Sequence, residues 1–65
     1  MVLEIDLAKE IGVSRQAITL TVKTRGLERF HVQVPRMNSW ALAVSDEDAE
    51  RVREIYRLRR EAKRA

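Results

Sequence analysis

A small α+β domain, with two short helices, a β-hairpin and a longer C-terminal helix, is predicted by three observations. The stretch "LAKEIGVSRQAI" (Leu7 to Ile18) carries helical spacing on both sides of a glycine and a serine. The stretches "RFHVQV" and "WALAV" each alternate with the period of two expected of a half-buried strand. The stretch "SDEDAERVREIYRLRREAKRA" opens on a serine and acids and ends on basic residues, the polarity a helix dipole favours. With 65 residues and 45% hydrophobic content the chain has room for one domain only. A domain of this size buries about 60% of the surface its unfolded chain exposes, so a partner or ligand adds usefully to its stability.

The first helix places Leu3, Leu7, Ala8 and Ile11 on one side, with Glu4, Asp6, Lys9 and Glu10 filling the other positions. Gly12 ends it, since glycine accepts the positive φ found just past a helix end. Ser14 caps the second helix, which runs to about Lys23 and is closed by Gly26. Ala17, Ile18 and Thr21 or Val22 form its inner side, while Arg15, Gln16, Thr19 and Lys23 form a polar, basic one. Its many β-branched residues are mediocre helix formers, so tertiary packing is expected to hold it.

In the hairpin, Phe30, Val32 and Val34 alternate with Arg29, His31 and Gln33, and Trp40, Leu42 and Val44 alternate with Ala41 and Ala43. Both large apolar sets are expected to face the core, with Trp40 packed beneath the hairpin and the alanines outward. The intervening "PRMNS" supplies turn residues and a basic, polar tip. Ser45 caps the last helix, whose apolar positions Ala49, Val52, Ile55, Tyr56 and Leu58 are read as one side. Tyr56 and Leu58 either close the core or form a small patch for self-association.

Several classes are set aside on composition. Without cysteine there is no disulfide framework, no thiol nucleophile and no Cys-based zinc site, and the single His31 cannot build a metal site alone. No glycine-rich phosphate loop and no nucleophile paired with a base is present, so an enzyme is not expected and no cofactor is implied. The longest apolar run of note, "WALAV", is far below the roughly 18 residues of a membrane span. A cytosolic compartment fits. The net charge is +3, but the last helix passes from four acids between Asp46 and Glu50 to seven basic residues against two acids from Arg51 onward. That basic end is read either as a soluble, dipole-favoured terminus or as a phosphate-contacting one.

Two helices joined by a tight turn push the second outward, and the DNA major groove admits one helix. The residue types suit that task, because arginine can bond guanine bidentately, glutamine adenine, and threonine can touch a thymine methyl. Leu7-Ala8, Gly12-Val13 after Ile11, and Ile18 resemble the inner-face spacing of the bacterial helix-turn-helix. With the hairpin and "SWALAVSDEDAERV" added, nearly the whole chain resembles the winged helix-turn-helix DNA-binding proteins of the excisionase and MerR-like group.

That resemblance implies that Ser14, Arg15, Gln16, Thr19 and Lys23 enter the major groove and that Arg25 and Arg29 touch the DNA backbone. It also implies a wing, with Arg36, Asn38 and Ser39 in the adjacent minor groove. The chain departs from the group in Leu20 and Thr21, where an aromatic or basic residue often sits, and in a wing without glycine. Because no long dimerisation helix follows, an excisionase is the nearer expectation. It would bind repeated sites, bend DNA, associate cooperatively with further copies, and direct a site-specific integrase toward excision in a phage or mobile-element setting. A small MerR-like transcription regulator is the alternative. An RNA- or ribosome-binding module and a protein adaptor are weaker readings, the first because the hairpin is long.

Overall fold

The computed structural model describes residues 1–35 and 38–64. In chain order the elements are β1 (Val2–Leu3), α1 (Glu4–Ile11), α2 (Arg15–Thr24), β2 (Phe30–Val34), β3 (Ser39–Val44) and α3 (Asp46–Arg64). The three strands form one antiparallel sheet in the order β1-β3-β2. The described residues therefore form an α+β domain of three helices and a three-stranded sheet, in a winged-helix-like arrangement.

Local chemistry accounts for the helix ends. The Ser14 side chain accepts a hydrogen bond from the Ala17 N–H at 3.1 Å, shared with the Ser14 carbonyl, and Ser45 Oγ accepts one from Asp48 N–H at 3.1 Å, each capping the first turn of its helix. Gly12 has φ +84°, and both Gly12 N–H and Val13 N–H return to the Ala8 carbonyl. At the end of α2, Gly26 has φ +67°, Gly26 N–H bonds the Lys23 carbonyl and Leu27 N–H the Val22 carbonyl. This is the paired bonding of a Schellman motif, and Leu27 then packs on the core.

Helix α1 begins at Glu4, one residue later than the spacing predicts. Leu3 is extended and pairs with Ala43, while Val2 pairs with Val44. A two-residue strand has no alternation to read, so β1 has no signature in the sequence.

Leu7, Ile18, Val22, Val44 and Val52 are fully buried, so each helix and the central strand supply the core. Val2, Val13, Leu27 and Tyr56 pack around it. The Tyr56 hydroxyl donates to the Ala17 carbonyl at 3.3 Å and lies 3.0 Å from Thr21 Oγ1, tying α3 to α2. Past Tyr56 the side chains of α3 are exposed through Lys63. Leu58 is among them, so it is not on the core side as its position in the sequence suggests. No helix among the described residues is long and apolar enough to cross a membrane.

The hairpin overturns one expectation. Phe30 pairs with Ala43, Val32 with Ala41 and Val34 with Ser39, while His31 pairs with Leu42 and Gln33 with Trp40. Directly opposed residues share a face, so Phe30, Val32 and Val34 lie with the alanines, and Trp40 and Leu42 lie on the other face with His31. The two large apolar sets are thus on opposite sides of the sheet. Val44 belongs to the Trp40 side and reaches the core, but the strand runs outward from there, leaving Trp40 66% exposed instead of buried. Ala43, on the reverse face, is fully buried.

Candidate nucleic-acid interface

Helix α2 divides cleanly. Ile18 and Val22 are fully buried and Thr21 nearly so, while Arg15, Gln16, Leu20 and Lys23 are exposed. Between that outer side and the Trp40 face of the hairpin lies a groove of about 660 Å³. Arg15, Gln16, Thr19, Leu20 and Lys23 form its helical wall, and His31, Ser39, Trp40 and Leu42 its sheet wall.

Glu4 forms part of the groove lining, and it is the least expected residue there. It is 2% exposed, yet it accepts three hydrogen bonds: from Thr19 Oγ1 at 2.9 Å, Arg29 Nε at 2.7 Å and Arg29 Nη2 at 3.2 Å. A buried carboxylate is tolerable only when paired and hydrogen-bonded, and here both conditions hold. The cluster joins the start of α1, the middle of α2 and the residue before β2, so it sets the helix against the hairpin. An acid in the first turn of a helix is usually exposed and dipole-stabilised, which is why the sequence does not single out Glu4.

The cluster also redirects two of the expected DNA-contacting side chains. Arg29, expected at a phosphate, has its guanidinium on Glu4, with only 21% of its side chain exposed. Thr19 lines the groove, but its hydroxyl is turned to Glu4. By contrast, the side chains of Arg15, Gln16, Lys23 and Arg25 are exposed and have no ion pair or hydrogen bond among the described residues. The groove's free charge is therefore basic. Ser14 is exposed at the N-terminal end of α2, its oxygen occupied as the cap. Sequence comparison adds nothing to this picture: the chain matches no protein-family model, no curated protein and no solved structure.

At the hairpin end, Ser39 is exposed and lines the groove. Asn38 takes φ +48° and donates its N–H to the Pro35 carbonyl at 3.2 Å, a left-handed turn position that asparagine tolerates. Arg36 lies outside the described residues.

Three arginines of α3 are matched by acids. Arg51 pairs with Glu47 and Asp48, Arg53 with Glu10 and Glu50, and Arg57 with Glu54 and Glu61. Arg60 donates to the Ile11 carbonyl, and the Arg59 guanidinium lies 5.1 Å from the centre of the Tyr56 ring. Hydrogen bonding to Arg53 holds the Glu10 carboxyl below the usual carboxylate range, and Arg57 does the same for Glu54. Arg51, Arg53, Arg57, Arg59 and Arg60 are engaged in holding this surface together, whereas Arg15 of α2 is not. Tyr56 is committed to the α2–α3 contact, which leaves Leu58 as the exposed apolar residue of that stretch.

Proposed function

We propose that the chain binds duplex DNA at specific sequences, with α2 in the major groove and the hairpin on the adjacent minor groove, as an excisionase-like recombination directionality factor. The observation that carries this reading is the groove between α2 and the hairpin, which gathers Arg15, Gln16 and Lys23 without partners among the described residues. A helix with its side chains is about 10–12 Å across and the major groove about 12 Å wide, so an outward-facing α2 fits it. Arg15 and Gln16, in the first turn, read base edges, and Ser14 with the helix N-terminus holds a phosphate. Lys23 and Arg25 sit at the other end of α2 and neutralise backbone charge.

Arg29 and the Thr19 hydroxyl support the site by positioning it through Glu4. On this reading the protein works in the cytoplasm, on the nucleoid, and any chemistry on DNA belongs to an integrase partner.

Selection from a randomised duplex pool at near-physiological salt tests the proposal. A short motif repeated at fixed spacing is the excisionase outcome, and a lone or inverted motif is that of a MerR-like regulator. Failure to enrich any sequence, with binding lost as salt rises, overturns specific DNA binding. Against the selected site, Arg15→Ala is expected to weaken binding by about 1–3 kcal/mol and to relax preference at one base pair.

A further inference from the structure

Two large apolar side chains in the groove are unused by the polar readers. Leu20 and Trp40 are each 66% exposed, and both line it. Leu20 follows Gln16 by four residues and precedes Lys23 by three, so the three share one outward stripe of α2. The core closes without Leu20, and its surface leaves water only when something apolar is laid against it. The major-groove edge of duplex DNA carries one apolar group, the C5-methyl of thymine. Thr19, the other residue here able to offer a methyl, is half-buried and held by its bond to Glu4.

We propose that Leu20 is a specificity-determining residue that packs on a thymine methyl in the major groove, so that the preferred site carries thymine opposite it. Four helical residues rise about 6 Å, and base pairs stack about 3.4 Å apart. The thymine therefore lies within about two base pairs of the one bonded by Gln16. Lys23, on the same wall one turn beyond Leu20, matches a backbone phosphate there. This inference rests on the DNA reading given above. It predicts a methyl-dependent step in affinity that charge alone does not produce.

The test uses the full chain and the duplex recovered from the randomised pool, with each thymine replaced in turn by uracil, which pairs identically and lacks only the methyl. Binding is followed by anisotropy of a labelled duplex and by the emission of Trp40, the protein's single tryptophan, which lines the same groove. Replacement at one position, or at two neighbouring ones, is expected to weaken binding about fourfold, the value of one buried methyl group. Leu20→Ala is expected to bind thymine and uracil duplexes equally while melting like the parent protein, because Leu20 is exposed.

Site-specific binding with no uracil effect anywhere overturns the inference and leaves the DNA reading standing. A uracil effect that persists undiminished in Leu20→Ala, or a selected site without thymine, overturns it too. A pool that yields no preferred sequence removes the DNA reading and the inference together, and is told apart from the other outcomes by the absence of enrichment itself.

Discussion

Glu4 and Glu10 sit on the same helix, and each is gripped through Nε and Nη2 of an arginine from a distant part of the chain. Glu4 is 2% exposed and shares its carboxylate with Thr19 as well as Arg29. The Glu10 side chain is 52% exposed and shares Arg53 with Glu50. The bonding is alike, but water can replace Arg53 around Glu10 and cannot replace Arg29 around Glu4. Burial, not geometry, decides what each pair is worth to the fold. The same contrast separates the two basic surfaces: on α3, Arg51, Arg53 and Arg57 are matched by acids, while on the groove side of α2 Arg15 and Lys23 are left for a partner.

The largest expected effect comes from breaking the buried pair. Arg29→Met strands the Glu4 carboxylate, and a loss of about 3–5 kcal/mol in urea denaturation is expected, enough to unfold much of a domain this small. Adding Glu4→Met to it should recover a large part of that loss, since an apolar pair of similar volume needs no compensating charge. A double variant no more stable than Arg29→Met alone would show that the pair acts through its shape and not its charge.

Thr19→Val comes next. It keeps the shape of the residue and removes one donor from Glu4, so a loss near 1.5 kcal/mol is expected, the low end for a hydrogen bond to a charged group because Thr19 is half-exposed. Equal stability to the parent would place water, rather than Thr19, as the third partner of Glu4.

Arg53→Gln should be the mildest of the set, with a melting temperature close to the parent's and any small difference erased in molar salt. Its pH signature has a definite sign. The Glu10 carboxyl is held below its ordinary range by Arg53, so its contribution is present above that range and is lost as the pH falls through the lowered value. The acid limb of stability should therefore be slightly flatter in Arg53→Gln. A steeper limb would contradict the assignment.

Much of the fold is legible in the residue string, and so is the helical half of the candidate interface. Arg15, Gln16 and Lys23 are recognisable because Ile18 and Val22, at helical spacing, mark the opposite side as inward. Leu20 is visible by the same rule, an apolar residue among polar positions, although it is easily passed over as one more buried leucine. Glu4 and Trp40 are not legible, because what each does depends on chain segments far away in sequence.

The sequence by itself determined where α1 stops, where α2 starts and stops, and where α3 starts. Ser14, Ser45, Gly12 and Gly26 act on amides and carbonyls within a few residues, and such bonds form wherever the chain carries those residues. Only the tertiary structure decided which face of each strand is which. Val34 pairs with Ser39 across four intervening residues, so Phe30 and Val32 fall opposite Ala43 and Ala41. A connection one residue shorter or longer would have set them beside Trp40 and Leu42. The pleat repeats every two residues, so a register one step away turns every side chain of a strand to the other face. That choice leaves Trp40 in the groove beside α2, where charge, an exposed leucine and an exposed tryptophan meet.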